Sequence, residues 1–337
     1  MHRVLLFGVA SLLVAGLALA GAPKEADVQG IYEGTWKDAK VEARVVAMGK
    51  QTYKVFVRDG IGPESKTKGE LDGKTEGEAA TFAGKVGEAA CEGKYADGAI
   101  AGKAGDATFE LKRVQRKSPT LEAKPPEGAV VLLPFPAEAD KIEGMARRKI
   151  KDKKTGEEKV PDWKTFDDGS VQVPRGGMDS AKAFDGSFKL HVEFLSPLIP
   201  DARGQGRGNS GVFLSNGDEI QVLDSFGMDT YLGGGCGGIY RYQDPACMGE
   251  MQEPTKGGSG KFTLASLPPG EWQTYDVEYH VEMKDGKVVG KARATVLHNG
   301  IKIHDNFELK GTGKRPFNFQ DHGNPVRYRN IWVQPLP

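Results

Sequence analysis

Short stretches of alternating apolar and polar residues recur along the chain, each ended by Gly, Asn or Asp, and helical periodicity is scarce. A period of two sends successive side chains to opposite faces of a strand, so the pattern predicts an all-β protein. In residues 188–194, Phe188, Leu190, Val192 and Phe194 share one face, and Lys189, His191 and Glu193 share the other. "EWQTYDVEYHVEM" and "KARATVLHNGIKIHDNFEL" alternate in the same way, and the second contains Asn299-Gly300. That dipeptide predicts a tight hairpin pairing residues 296–298 with 301–303. One charged stretch, about residues 137–151, reads as helical. In "GNSGVFLSNGDEIQVLDS" the alternation puts Glu219 and Gln221 side by side on a polar face, after the glycine-flanked turn Gly208-Asn209-Ser210-Gly211. Lys and Thr are more usual on a solvated strand face, so a carboxylate beside an amide invites a chemical reading.

The same pattern divides the chain. Residues 28–116 read as a small antiparallel barrel or curled meander, with a bend at Gly49-Lys50 and Asp-Gly turns between short runs. This unit contains no His, and its carboxylates are spread over turns, which suits an accessory domain for binding or spacing. Residues 117–128, "KSPTLEAKPPEG", are rich in Pro and charge and read as a linker. From residue 129 to 337 long one-sided strands return, which implies two sheets packed face to face.

Composition narrows the partners. Lys+Arg and Asp+Glu both number 46, so the chain lacks the basic excess expected of a nucleic-acid binder. At the start, Arg3 precedes an apolar run ending in Ala18-Leu19-Ala20, the form of a secretory signal peptide with cleavage after Ala20. This predicts export to the periplasm or the extracellular space. No later stretch is long and apolar enough for a helical membrane span. There are three cysteines. In an oxidising compartment Cys236 and Cys247 can pair across a glycine-rich loop, leaving Cys91 as a buried thiol; zinc ligation is the alternative.

A set of phrases in the second unit resembles the 3-keto-disaccharide hydrolase family, long known as a domain of unknown function. They are "FKLHVEFLSP", "GNSGVFL", "EIQVLDS", "CGGIY", "PPGEWQTYDVEY", "ATVLHNGIKIHDN" and "QDHGNPVRYRNIWVQPL", in the family's order. The resemblance covers about residues 130–337. The opening Leu-Phe-Asp-Gly phrase of such domains is hardly kept, and nothing in the first unit matches. The resemblance implies a concanavalin A-like β-sandwich (jelly roll) whose sheet binds a carbohydrate substrate. It also implies action on glycosides whose 3-hydroxyl has been oxidised to a ketone.

The chemistry of such a substrate selects residues. A C3 ketone acidifies the C2 proton; a base removes it, the enolate expels the C1 oxygen, and water adds back. That route needs a base, a donor for an enolate oxygen and a proton for the leaving group. Glu219 and His322 are the acid–base candidates, with Asp321 orienting His322. Gln221, Asn209, Asn324, Arg207 and Arg203 are candidates to hold the sugar or the enolate oxygen. The residues fix no cofactor. Glu219 and His322 are also the pair that would hold a divalent ion, Ca2+ or a transition metal, against the ketone. The other class of function that suits the same face is a carbohydrate-binding protein without chemistry.

Overall fold

The computed structural model describes residues 22–285, 287–311 and 314–337. The leader expected at residues 1–20 lies outside them. Eight antiparallel strands between Gly30 and Val114 close into a barrel, Gly30–Trp36 pairing back onto Ala107–Val114. The turns are tight because residues with positive φ occupy them: Lys50 (53°), Gln51 (60°) and the pair Asp97 (46°) and Gly98 (78°). Val45, Tyr53, Val55, Leu71, Phe82, Ile100 and Leu111 fill the interior. The apolar space left inside is about 30 Å³, room for roughly one water, so the barrel is packed rather than hollow.

The second unit consists of two sheets face to face. One runs in the order Met145–Arg147, Met178–Ala183, Pro316–Phe319, Ser210–Phe213, Glu219–Val222. The other runs Lys164–Thr165, Val171–Gln172, Arg327–Pro335, Phe188–Leu195, Gln273–Lys284, Lys287–His298, Ile301–Glu308, with Val130–Leu133 also paired to Arg327–Pro335. Between them lie the inward residues of both: Val212, Ile220, Val222, Phe317 and Phe319 against Phe188, Leu190, Val192, Phe194, Tyr275 and Val277. The face alternation read from residues 188–194 is therefore the alternation observed. The Asn299-Gly300 turn also forms, with His298 opposite Ile301, and a bulge then sets Val296 against His304.

Several expectations are corrected. The charged stretch 137–151 holds only a 3₁₀ turn at Ala139–Lys141, followed by strand at Met145–Arg147. Gly144 explains the change, since a Cβ there would lie 2.5 Å from the Leu132 carbonyl oxygen, and a sheet partner then claims residues 145–147. The Pro-rich linker is a strap docked on the outer face of the larger sheet. Thr120 Oγ1 donates to Asp276 at 2.6 Å, Glu122 N to Glu193 at 2.5 Å and Asn330 Nδ2 to the Ala123 carbonyl at 2.9 Å. His191 and Glu193, outward by alternation, are consequently buried. His191 Nδ1 lies 2.6 Å from Asp276, and its ring stacks on Trp332 at 5.1 Å.

Cys236 and Cys247 are not bonded; all three cysteines are free and buried. The two thiols belong to different apolar clusters. Cys236 sits in the sandwich core against the Tyr275 hydroxyl at 3.1 Å, and Cys247 lies in the seam between barrel and sandwich. His298 and His304, which flank the hairpin turn, are buried. Burial pushes the His298 imidazole down to about 3.

The barrel is held to the sandwich by an apolar seam of Ile31, Val46 and Phe56 against Phe226, Met228, Phe262 and Leu264. Glu42, wholly buried in this contact, accepts from Arg44 Nε at 2.7 Å and Arg58 Nη1 at 2.8 Å, and is also bonded to Arg116. Arg44 reaches on to the Leu264 carbonyl at 3.0 Å.

Candidate active site

The outer face of the five-stranded sheet collects the polar residues that alternation turns away from the core. Register places Gln221 opposite Gly211, Glu219 opposite Phe213, and Phe213 opposite Asn318. Opposed residues project to the same side, so Glu219, Gln221 and Asn318 share one surface. Farther along, Asp179 opposes Asn318 and is held by Arg148 through two bonds of 2.8 and 2.9 Å. A groove of about 350 Å³ runs here between Phe213, Asn318, Gln320, Asp179 and Arg315.

Glu219 is the unusual residue of this face. It is only 8% exposed, yet among the described residues no group donates a hydrogen bond to its carboxylate and no neighbouring charge offsets its burial. Desolvation acts unopposed and pushes its carboxyl up to about 7. Gly211 makes the position available: a Cβ there would sit 2.0 Å from Glu219 Oε1. The glycine of the Gly208–Gly211 turn thus serves the carboxylate before it serves any ligand.

The free edge of the Glu219 strand is covered by the glycine-rich loop 226–243. An antiparallel bridge joins Ile220 to Ile239, Tyr240 N donates to the Glu219 carbonyl at 3.0 Å, and Gln221 N donates to the Gly238 carbonyl at 2.9 Å. This register sets Tyr240 opposite Glu219, on the same side. The Tyr240 hydroxyl meets that of Tyr231 at 2.8 Å, and Arg241 stacks over both rings at 5.6 and 5.4 Å. Gly238, opposite Gln221, adds no side chain. Glu219 is left with a tyrosine pair on one flank and a row of amides on the other.

The residues expected at the site divide into three groups. Glu219, Gln221 and Asn209 come together, and Asn324 supports them by accepting from Asn209 N at 2.7 Å. Asp321 lines the far end of the groove, but its oxygens accept from Gly176 N at 2.9 Å and Gly323 N at 3.0 Å, so it clips its loop and does not orient His322. His322 is exposed, and no described side chain bonds to it. Arg207 and Arg203 turn to the barrel. Arg207 is buried, pairs with Asp224 at 2.6 Å and donates to the Ala47 carbonyl at 3.0 Å, while Arg203 donates to the Met48 carbonyl at 2.6 Å. Among the described residues no three His, Cys, Asp or Glu side chains stand together as ligands for a metal.

Sequence reasoning missed Tyr231, Tyr240, Gln205, Asn318 and Gln320. For the last two a signal existed, since Phe317-Asn318-Phe319-Gln320 alternates as Glu219-Ile220-Gln221-Val222 does. Nothing local marks Tyr240, because its place depends on a bridge between a loop and a sheet edge.

Residues 148–334 match the model of the 3-keto-alpha-glucoside-1,2-lyase-like domain. Two crystal structures from Parabacteroides distasonis ATCC 8503, each of a protein described as a candidate glycosyl hydrolase, are also similar. One is 27% identical, with 63% of this chain and 85% of that chain covered and a TM-score of 0.47. The other is 18% identical, with 58% and 90% covered and a TM-score of 0.35. A search of curated proteins finds no match. The matched segment is more than half of the chain, and the protein belongs to the 3-keto-disaccharide hydrolase family, whose domain is 3-keto-alpha-glucoside-1,2-lyase-like.

Proposed function

We propose that this protein is an exported enzyme that cleaves 3-keto-glycosides, with Glu219 as the base that removes the C2 proton. The observation that carries the reading is a carboxylate on an otherwise polar binding face, nine-tenths buried, without a partner and pushed up to about 7. Glu42, Glu193 and Asp224, which are buried more deeply still, are each paired with arginine. A solitary carboxylate this basic is suited to taking a proton near neutral pH. Family membership supports the sugar and the reaction class.

The steps balance without a cofactor. Glu219 takes the proton from C2, and the C–H electron pair becomes the enolate across C2 and C3. The enolate collapses to a C1–C2 double bond conjugated to the C3 ketone as the C1–O bond breaks. The leaving oxygen takes a proton, and the linked hydroxyls of Tyr240 and Tyr231 are the donors on the same face, with the Arg241 cation over their rings. Water then adds at C1 and a proton returns to C2, which completes hydrolysis. The signal-like residues 1–20 support placing the reaction outside the cytoplasm.

The test is release of a chromogenic leaving group from its 3-keto-glucoside by the mature protein and by Glu219→Gln. Release that disappears in the folded variant is expected. Equal release by both overturns Glu219 as base. No release by either, with saturable glycan binding, makes the protein a carbohydrate-binding module.

A further inference from the structure

The amides beside Glu219 are oriented in one direction, and the orientation is fixed by backbone carbonyls. Gln205, in the turn Gly204–Gly206, donates from Nε2 to the Gly234 carbonyl at 2.9 Å and to Thr230 Oγ1 at 3.2 Å. A carbonyl only accepts, so the nitrogen of Gln205 stands at that end and its Oε1 at the other. Gln205 Oε1 accepts from Gln221 Nε2 at 2.8 Å and from Asn209 Nδ2 at 3.0 Å. Asn209 Nδ2 also donates to the Gln205 main-chain carbonyl at 2.8 Å, which settles its orientation a second time. Gly234 is suited to this role, because a Cβ would come within 2.8 Å of the Tyr231 ring and 3.1 Å of Gln205 Nε2.

Two oxygens are left over. Asn209 Oδ1 and Gln221 Oε1 are buried, and no described donor reaches either. Both residues are 1% exposed. Folding has therefore set two acceptors in place without partners, next to a carboxylate that also lacks one. Buried acceptors are ordinarily paired, and their best partner is a ligand that brings protons.

We infer that Gln205 is a positioning residue, which holds Asn209 and Gln221 as fixed acceptors so that this end of the site reads hydroxyl donors of a neutral sugar ring. The inference rests on the sugar-binding part of the proposed function. Three acceptors in a row disfavour a carboxylate, sulfate or phosphate there, so the sugar at this end is uncharged. Gln205 touches neither the reacting atoms nor the sugar; it acts through the two amides.

Fluorine separates the roles, since a C–F group has no proton to donate. The experiment is titration calorimetry of the full mature chain with methyl α-glucoside and its 2-, 4- and 6-deoxyfluoro analogues, beside turnover of the chromogenic 3-keto-glucoside. At least one analogue is expected to bind the wild type about ten- to a hundredfold more weakly, the effect of a buried acceptor left unpaired. In Gln205→Leu the Gln221 amide loses its partner and is free to rotate and donate, while Asn209 keeps the main-chain carbonyl of residue 205, and the ratio for the hydroxyl that Gln221 reads is expected to fall below about threefold. Gln205→Met fills the same space without an acceptor and is expected to lose the ratio as Gln205→Leu does, which separates orientation from packing. Equal binding of all four sugars by the wild type, or an unchanged ratio in Gln205→Leu, overturns the inference. So does failure of every sugar to bind, or CaCl2 binding that displaces the sugar and requires Asn209 and Gln221. Cleavage without fluorine discrimination removes the inference and leaves the proposed function; discrimination without cleavage does the reverse.

Discussion

Glu42 and Glu219 are both buried carboxylates on β-strands, and the protein treats them in opposite ways. Glu42 lies in the seam between barrel and sandwich, where burial would raise its pKa but Arg44, Arg116 and Arg58 outweigh it and hold it at about 2. Glu219 lies on the outer face of the smaller sheet, where burial acts alone and brings it to about 7. The difference lies in the neighbours and not in the depth. A carboxylate surrounded by guanidiniums is locked as an anion and joins two units; one without partners is ready to change its charge, at a standing loss in stability. Arg207 pairs with Asp224 at the same seam, where burial outweighs the single guanidinium and holds that carboxyl above its usual range, and the bonds to Asp224 and the Ala47 carbonyl keep that arginine off the polar face of the smaller sheet.

The widest test of this contrast is paired substitution. Glu219→Gln is expected to lower turnover of a 3-keto-glucoside about 10²- to 10⁴-fold, the usual weight of a general base, in a protein no less stable than the wild type. Glu42→Gln is expected to do the opposite. It leaves three arginines facing a neutral amide, so chemical denaturation should show a loss of about 3–5 kcal/mol, with activity per folded molecule kept. Normal stability in Glu42→Gln, or a low specific activity in its folded fraction, breaks the comparison.

The pH dependence should carry opposite signs at the two sites. The Glu219 pKa is raised on folding, so its contribution to stability is full below about 4.5 and is lost as pH rises through about 7. At ~1.4 kcal/mol per unit, a rise from 4.5 to about 7 amounts to about 3 kcal/mol. Urea titrations at pH 5 and pH 8 should therefore converge in Glu219→Gln relative to the wild type. The Glu42 pKa is depressed, so its contribution is present above about 4.5 and lost as pH falls through about 2. Activity should rise with pH through about 7 as the base ionises.

Smaller effects sharpen the site itself. Tyr240→Phe removes the hydroxyl opposed to Glu219 and is expected to lower kcat about ten- to a hundredfold with KM little changed. His322→Ala should change turnover by less than about threefold, because the exposed imidazole bonds to nothing near Glu219. A large loss in His322→Ala would return that residue to the chemistry and remove the tyrosine pair from it.

Several features were legible in the sequence because they depend on nearest neighbours along the chain. Strand alternation assigned faces to residues 188–194 and 219–222, Asn299-Gly300 made its hairpin, and the balanced charge and the family's phrases pointed to a sugar rather than a nucleic acid. Tertiary structure decided everything that depends on what packs across a face. Alternation turned Glu193 and Glu219 outward alike; the strap 117–128 and the strand Arg327–Pro335 then supplied Glu193 with donors, and no described residue supplied Glu219. Arg207 looked like a ligand for sugar until the barrel covered it, and Tyr240 had no signal until a loop bridged to the sheet edge. Local sequence sets the direction of a side chain through backbone geometry, whereas its charge and its role depend on the dielectric and the partners that distant segments bring to it.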